Sequence, residues 1–236
     1  MPRLRVIGPG RAGTSVALAL GRAGWEVLPA LGRCDEVASA ATGTDLLVIA
    51  TPDGVVGEVA AAVSPDDGAV VAHLSGALGL APLTRHRRRA VVHPLVALPD
   101  PERGAARLVG AWYGLSSDGD PLADDVVAAL QGRAVRVDEG GWARYHAAAV
   151  MASNHVVALL GQVERVAATV HVPLDAFLAL AEGSLADVAA LGPAAALTGP
   201  VRRGDLATVT AHLAALPEDE RVAYRALSEE AAKLCP

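Results

Sequence analysis

The sequence predicts an α/β protein in which a doubly wound sheet domain, residues 1–139, precedes an all-α domain, residues 140–236. Three observations predict this arrangement. A short apolar strand near the start of the chain runs into a glycine-rich turn and a helix. Further apolar strands alternate with helical segments up to Asp138, and strand patterns almost vanish after Trp142. The segment Asp138–Gly141 is therefore the expected domain boundary.

The first element is the strand Leu4–Ile7, which is followed by a turn with the spacing G-x-G-x-x-G and by a helix from Thr14. In this context the three glycines allow a tight turn, a close approach of pyrophosphate to the backbone, and close packing of the helix on the strand. The unpaired N–H groups of the helix N-terminus attract phosphate. We therefore expect a dinucleotide to bind this turn, which consists of Gly8, Pro9, Gly10, Arg11, Ala12 and Gly13.

The second strand, Trp25–Leu28, predicts which dinucleotide binds. A NAD site usually carries Asp or Glu at the end of this strand, where the carboxylate binds a ribose hydroxyl. Here Arg33 occupies the corresponding region, and a planar guanidinium suits a 2′-phosphate. The sequence therefore favours NADP over NAD. Asp35 and Glu36 follow closely and are alternative ribose ligands, and a solvated loop arginine is the alternative interpretation of Arg33.

Further strands are expected to end at the ligand-binding edge of the same sheet. The strand Asp45–Ala50 is nearly all apolar, as a parallel strand with both faces buried should be. Two later strands end close to Ser75 and His93, which places both residues beside the expected nicotinamide position. We expect additional cofactor contacts from Ala50, Thr51, Pro52, Ser75 and Gly76.

Composition excludes several classes of protein. Hydrophobic residues make up 52% of the chain and charged residues 19%, which is too apolar for a disordered protein. The net charge of −6 argues against non-specific nucleic-acid binding, and we interpret the basic run Arg85–Arg89 as a solvated surface turn. Two distant cysteines, Cys34 and Cys235, and the lack of a signal-peptide layout indicate a cytoplasmic location. Polar residues interrupt the Ala/Val-rich stretch near residue 150, so no membrane span is expected.

The second half of the chain shows helical patterns. A long helix is predicted over residues 142–170 and another over residues 173–191. The loop Leu197–Asp205 is rich in turn residues and carries Arg202 and Arg203. These arginines suit a carboxylate or phosphate of a substrate, and exposed loop charges are the alternative interpretation. The Ala-rich helices could also bury a subunit interface, so we expect a homodimer.

Together these motifs resemble the bacterial Rossmann-like proteins that carry the domain of unknown function 2520, which are relatives of pyrroline-5-carboxylate reductase and prephenate dehydrogenase. The resemblance covers nearly the whole chain. It implies an N-terminal NADP-binding Rossmann domain and a helical C-terminal domain like that of 6-phosphogluconate dehydrogenase. The matching stretches are Gly8–Gly13, Ala50–Asp53, His73–Gly76, His93–Leu95, Tyr145–Ala149, Ala152–Asn154, Leu197–Pro200 and Arg203–Asp205.

Two groups of residues compete for the proton transfer that accompanies hydride transfer, for which a histidine with a pKa near the working pH is the usual donor. In the prephenate dehydrogenase branch a strand-end serine and a His-Pro histidine face the substrate hydroxyl, and Ser75 and His93 match them. The second group is His146 with Ser153 and Asn154, which follow seven and eight residues later on one helical face. Ketopantoate reductase and the hydroxyacid dehydrogenases use a lysine on this helix, which this sequence lacks. Structural roles are the alternative for both groups, and no metal-ligand spacing is present.

We therefore expect an NADPH-dependent oxidoreductase that acts on a small, carboxylated keto or imino compound, with ketopantoate reduction as the first reaction to test. His93 or His146 would donate the proton, and Ser75 and Asn154 would orient the substrate. Ser153, Arg202 and Arg203 would complete its binding site. The alternative is a non-catalytic NADP-binding sensor or scaffold, which the missing lysine supports.

Overall fold

A computed structural model describes residues 1–235 and divides them into two compact units. The first unit is Met1–Ala152, and the second begins at Ser153. The first unit extends beyond residue 139 because Trp142 is buried against Leu80 and Val91. The domain division after residue 139 stays a prediction.

A seven-stranded sheet forms the centre of the first unit. Its strands are β1 (Arg3–Ile7), β2 (Glu26–Val27), β3 (Leu46–Ile49), β4 (Val70–His73), β5 (Arg89–Pro94), β6 (Trp112–Ser117) and β7 (Arg133–Arg136). Their spatial order is β2-β1-β3-β4-β5-β6-β7. The first five strands are parallel, β6 is antiparallel to β5, and β7 is parallel to β6. Every residue of β3 and β4 is buried, which explains their continuous apolar runs.

Helices cover both faces of this sheet. They are α1 (Arg11–Arg22), α2 (Asp53–Ala62), α3 (Pro101–Leu108), α4 (Leu122–Ala129) and α5 (Trp142–Val150), with single 3₁₀ turns at Ala81–Leu83 and Glu139–Gly141. One apolar core joins Leu20 of α1, Leu108 of α3 and Val126 of α4 to the sheet. A second core joins Val56 of α2 to the opposite face. The predicted doubly wound α/β class is therefore confirmed.

The basic run Arg85–Arg89 is only in part the solvated turn that we expected from the sequence, because Arg85 and Arg87 are exposed and the other residues are not. Arg88 is half-buried, and its Nε donates to Oδ2 of Asp120 at 2.6 Å. His86 is buried, and its Nε2 lies at hydrogen-bonding distance from a backbone carbonyl. The physical reason is that the run enters the sheet, because Arg89 is the first residue of β5.

The second unit is helical, as predicted. A π-helical segment, Met151–His155, leads into α6 (Val156–Ala168), α7 (Leu174–Leu191), α8 (Pro193–Ala196), α9 (Gly199–Arg202), α10 (Leu206–Ala215) and α11 (Arg221–Ala232). Arg165 of α6 pairs with the buried Glu220 at 2.5 Å, and Asp205 caps α10 by accepting the N–H of Thr208 at 3.0 Å. The expected loop Leu197–Asp205 contains the short helix α9. Of the helices in residues 1–235, none has the length and apolar character that a membrane span requires.

Candidate functional site

The turn between β1 and α1 requires glycine at two positions. Gly8 has a φ of +97°, and a Cβ there would lie 2.8 Å from the carbonyl oxygen of Ala50. A Cβ at Gly13 would overlap the carbonyl oxygen of Gly8 and lie 2.8 Å from Cγ1 of Val6. Gly10 differs, because no atom lies within 4 Å of its Cβ position. The turn is therefore packed tightly on the sheet side and open above Gly10.

Polar groups at and beside the turn lack partners. Within the described residues, no side chain caps the N-terminus of α1, and its first turn holds no acidic residue. The hydroxyl of Thr51 is buried beside Gly8 and has no hydrogen-bond partner in residues 1–235. Such N–H groups and an unpaired hydroxyl fit the oxygens of a phosphate. Of the other predicted contacts, Pro9, Arg11 and Pro52 are exposed, and Ala12 and Ala50 are half-buried.

The chain after β2 remains hydrogen-bonded to β1 as far as Leu31, and Arg33 follows this segment. The N–H of Gly8 donates to the carbonyl oxygen of Leu31 at 2.9 Å, and Arg33 lies two residues further along the chain. Its side chain is exposed and has no ion pair within residues 1–235. The alternative ribose ligands, Asp35 and Glu36, accept backbone N–H groups of their own loop at 2.6 and 2.5 Å. The guanidinium of Arg33 is therefore available to a phosphate.

His73 and Ser75 shape the loop that follows β4. The N–H of Ser75 donates to Nδ1 of His73 at 3.2 Å, so the proton of this ring is on Nε2, which donates to the carbonyl oxygen of Gly79 at 3.0 Å. Burial lowers the pKa of His73 below its ordinary value. The hydroxyl oxygen of Ser75 accepts the N–H groups of Ala77 and Leu78 at 3.2 and 3.3 Å. These two bonds use the oxygen of Ser75 as an acceptor, and its role in binding a ligand stays a prediction.

His93 lies in β5 and contacts α5. Its Nδ1 lies 2.9 Å from Oη of Tyr145, and its ring stands edge-on to the ring of His146 with the centroids 5.9 Å apart. Burial, and after it the neighbouring His146 ring, lowers the pKa of His93 from 6.5 to about 4. His93 is therefore uncharged at neutral pH, whereas we expected from the sequence a donor with a pKa near the working pH.

Gly76, His93 and His146 meet at the carboxyl ends of β4 and β5. A Cβ at Gly76 would lie 2.7 Å from Nε2 of His93 and 2.8 Å from Cδ2 of His146. Because β1, β3, β4 and β5 are parallel, this is also the edge at which β1 runs into the glycine turn. The structure thus brings together three predicted site residues from three separate segments.

Sequence reasoning missed Tyr145 as a residue of this cluster. Its hydroxyl is hydrogen-bonded to His93, and its ring packs edge-on against Trp142 with the centroids 5.3 Å apart. Burial raises the pKa of Tyr145 to about 12. Its position directly before His146 in a predicted helix is the signal that could have drawn attention to it.

The other predicted residues belong to the second unit. Ser153 and Asn154 are exposed, and Oγ of Ser153 donates to Oδ1 of Asn154 at 2.9 Å. Their π-helical segment departs from the 3.6-residue period on which the expectation of one face shared with His146 rested. Arg202 and Arg203 are exposed. The roles of these four residues stay predictions. Among residues 1–235, no group of three or more His, Cys, Asp or Glu side chains could hold a metal ion.

Solved structures with this fold cover nearly the whole chain. A candidate NADP oxidoreductase from Bacteroides fragilis shares 19% identity over 98% of each chain, with a TM-score of 0.80. A reductive aminase from Aspergillus terreus, in complex with NADPH and ethyl-5-oxohexanoate, shares 18% identity over 99% of this chain and 94% of its own, with a TM-score of 0.69. A pyrroline carboxylate reductase from Plasmodium falciparum, with NADP bound, shares 12% identity over 100% of this chain and 98% of its own, with a TM-score of 0.64. At these identities the similarity establishes the fold.

A comparison with protein families complements the structural similarity. No curated protein matches the sequence. The model of one family, described as Domain of unknown function (DUF2520), matches residues 113–231, which is half of the chain. The matched region contains Tyr145, His146, Asn154, Arg202 and Arg203. The chain therefore belongs to the DUF2520 family, as its motifs indicated.

Proposed function

We propose that the chain binds NADPH at the glycine turn and transfers hydride to a small, carboxylated keto or imino compound. One observation carries this proposal: the open turn at Gly10 and the cluster of Gly76, His93 and His146 lie at the same carboxyl edge of one parallel sheet. Ligands of open α/β sheets bind along this edge. A dinucleotide held at the turn would extend toward the cluster.

The residues around the turn fit this cofactor. The N–H groups at the start of α1 and the hydroxyl of Thr51 suit the pyrophosphate, and the exposed guanidinium of Arg33 suits a 2′-phosphate. Ser75 and Gly76 are the proposed contacts at the nicotinamide end. When bound, the reduced nicotinamide supplies the hydride. The structures of this fold from Aspergillus terreus and Plasmodium falciparum, with NADPH and NADP respectively, support the assignment.

The chain itself would position the substrate and manage one proton. His93 and His146 are the proposed donors, and the low pKa of His93 means that it donates from a neutral ring at neutral pH. Ser75 and Asn154 would orient the substrate. Ser153, Arg202 and Arg203 would complete its binding, because exposed guanidiniums suit a carboxylate. The compound held by the Aspergillus terreus enzyme, ethyl-5-oxohexanoate, is a keto ester and supports the keto group of the proposed substrate.

A binding titration followed by a substrate panel tests this proposal. The purified protein is titrated with NADPH and with NADH, and then incubated with NADPH and a series of 2-keto acids and imines, starting with ketopantoate. We expect micromolar affinity for NADPH, as is common for enzyme ligands, and consumption of NADPH with at least one substrate. A failure to bind NADPH overturns the proposal. Binding without turnover of any compound supports instead the non-catalytic sensor or scaffold.

Two variants separate catalysis from cofactor binding. His93→Asn and His146→Asn should lower the turnover number, by about 100-fold for the residue that transfers the proton, because general acid–base catalysis contributes about 10²–10⁴-fold. Both should bind NADPH with the affinity of the unaltered protein. Full turnover by both variants contradicts the role proposed for the cluster.

We further propose that the protein is a homodimer formed through α7. No residue of this described helix is buried, and Leu180, Leu185 and Leu191 are 66%, 61% and 61% exposed. A helix that is apolar on most sides is normally buried, and a second copy related by twofold symmetry is the commonest cover. Analytical ultracentrifugation should show a dimer that Leu185→Glu converts to a monomer, with Glu182→Gln as the control. A monomeric unaltered protein contradicts this assembly.

The proposed location is the cytoplasm. Both cysteines are free thiols, and Cys34 is exposed. Free exposed thiols persist in reducing compartments, which supports this location. Fractionation of cells that express the tagged protein tests it, and recovery outside the cytoplasmic fraction contradicts it.

A further inference from the structure

We propose that Tyr145 is a positioning residue that holds His93 in the tautomer with its proton on Nε2 and that supplies, through this ring, the proton that the substrate gains. The hydrogen bond of 2.9 Å between Oη of Tyr145 and Nδ1 of His93 carries the inference. The tautomer assignment depends on geometry alone. The supply of the proton rests on the proposed reductase function.

The sheet provides a slot for the Tyr145 ring beside His93. His93 in β5 pairs directly with Gly114 in the antiparallel strand β6, and directly opposed residues face the same side of a sheet. Gly114 has no side chain, and a Cβ there would overlap the hydroxyl of Tyr145. The tyrosine therefore occupies the place that the cross-strand neighbour of His93 would otherwise fill.

The hydrogen bond of the hydroxyl determines the direction of donation. Among the described residues, Nδ1 of His93 is the one hydrogen-bond partner of Oη of Tyr145, so the hydroxyl proton is directed to this nitrogen. A ring nitrogen that accepts a hydrogen bond carries no proton, so the proton of neutral His93 is on Nε2. Nε2 has no hydrogen-bond partner within residues 1–235, and the adjacent Gly76 has no side chain that would block it.

Burial and the balance of the charged and titratable groups around His93 keep its ring neutral. These groups are His146 on α5, His73 in β4, Asp53 at the start of α2, and Tyr145 itself. Burial and the two histidines lower the pKa of His93 to about 4, and Asp53 acts in the opposite direction. Burial raises the pKa of Tyr145 to about 12. At neutral pH the two protons of the pair are therefore on Oη and Nε2.

The proton that the substrate gains can come from neutral groups, so no charged acid is needed. As the carbonyl carbon of the substrate gains a hydride, the electron pair of the C=O bond moves to the oxygen. This oxygen takes the proton from Nε2 of His93, and Nδ1 takes the proton of Tyr145. The resulting phenolate regains a proton from water. The substrate gains one hydride and one proton, and an imine nitrogen would take the place of the oxygen.

The tautomer is tested by ¹⁵N NMR of the histidine rings in the full chain. In the unaltered protein near neutral pH we expect a bare nitrogen at Nδ1 of His93 and a protonated one at Nε2. Tyr145→Phe should give a mixture of both tautomers and raise the pKa of His93, because the lost bond stabilised the neutral ring. Tyr113→Phe is the matched control, because Oη of Tyr113 donates to the carbonyl oxygen of Leu108 and not to His93. It should leave the His93 signals unchanged.

The supply of the proton is tested by kinetics with the substrate that the panel identifies. Tyr145→Phe should lower kcat by about 100-fold, the lower part of the range for general acid–base catalysis, with KM and NADPH affinity unchanged. The solvent isotope effect should indicate two protons in transit for the unaltered protein and one for Tyr145→Phe. Tyr113→Phe should retain both values of the unaltered protein.

The two measurements distinguish the failure of this inference from the failure of the proposed function. A proton on Nδ1 in the unaltered protein, or tautomers that do not change in Tyr145→Phe, overturns the positioning role whether or not turnover is found. A two-proton isotope effect that persists in Tyr145→Phe overturns the proton supply. If no compound of the panel is reduced, the proton supply falls with the proposed function, and the NMR result still decides the positioning role.

Discussion

Gly76 lies directly against the imidazole of His93: the position of a Cβ at Gly76 is 2.7 Å from Nε2 of that ring. The same position is 2.8 Å from Cδ2 of His146. Tyr145 holds the other side of His93 by a hydrogen bond, so the ring has little freedom to move away. The loop after β4 and the two histidines therefore form one closely packed group at the edge of the sheet.

Gly76→Ala should lower the free energy of unfolding by about 1–3 kcal/mol, the usual cost of an added methyl group in a packed site. Urea denaturation measures this change. Gly54→Ala in α2 is the matched control, because no atom lies within 4 Å of its Cβ position. Alanine there should be neutral or stabilise by up to about 1 kcal/mol, since it favours the helix. Equal stability of Gly76→Ala and the unaltered protein would contradict the packing.

Gly10→Ala should separate cofactor binding from folding. Its Cβ meets no atom within 4 Å, so the expected loss of stability is about 1 kcal/mol or less, the cost of alanine at an N-cap. NADPH affinity should fall by about tenfold or more, because the Cβ enters the space through which a pyrophosphate approaches the turn. Gly13→Ala is the contrasting variant: its Cβ would overlap the carbonyl oxygen of Gly8, so about 3 kcal/mol or more should be lost. Thermal melting and NADPH titration of the same samples decide between these outcomes.

Local signals in the sequence were sufficient for the parts of the site that are built from adjacent residues. The turn Gly8–Gly13 was predictable because its backbone and packing requirements involve a strand and a helix that are contiguous in sequence. Helix α3 was missed although Asp100 caps it, accepting the N–H of Arg103 at 2.9 Å. The helix is short, and of the residues that it buries, Gly104, Ala105 and Leu108, only the leucine has a large apolar side chain, so the sequence pattern gave little signal.

Contacts between distant segments could not be predicted in the same way. Tyr145 and His93 are 52 residues apart in sequence, and they meet because β6 runs antiparallel to β5 and places Gly114 opposite His93. A short apolar run predicts a strand but not its direction. The low pKa of His93 likewise depends on burial by several elements, which the sequence of β5 alone does not contain.

Arg33→Ala should weaken the binding of NADPH far more than that of NADH. A charge-assisted hydrogen bond to a 2′-phosphate is worth about 1.5–3 kcal/mol, which is a loss of about tenfold or more in NADPH affinity. Arg87→Ala is the matched control, because Arg87 is exposed and lies before the amino end of β5, away from the glycine turn. Titration of each variant with both cofactors gives the ratio of affinities. Equal losses of NADPH and NADH affinity in Arg33→Ala would remove the support for a 2′-phosphate contact.

The low pKa of His93 predicts that the first unit loses stability as the pH falls. The pKa is about 4 in the folded chain against an ordinary 6.5, so between these values the unfolded chain binds more protons. The contribution is fully present above about 6.5 and is lost on the way to about 4. The shift corresponds to at most about 3 kcal/mol. Urea denaturation at a series of pH values, followed by tryptophan fluorescence, measures the change, because Trp25, Trp112 and Trp142 all lie in the first unit.

His93→Asn should reduce this loss of stability, and the buried His73, whose pKa is also lowered, should account for part of what persists. His146→Asn should raise the pKa of His93, because the nearby ring of His146 is the second cause of its low value after burial. The control is His155→Asn, since His155 is exposed in the second unit and its replacement should leave the acid dependence of the first unit unchanged. An acid dependence that is identical in His93→Asn and the unaltered protein would contradict the low pKa of His93. The ring of His93 would then take up a proton in the folded chain at mildly acidic pH. Its hydrogen bond with Tyr145, which depends on the neutral ring, would be lost under those conditions.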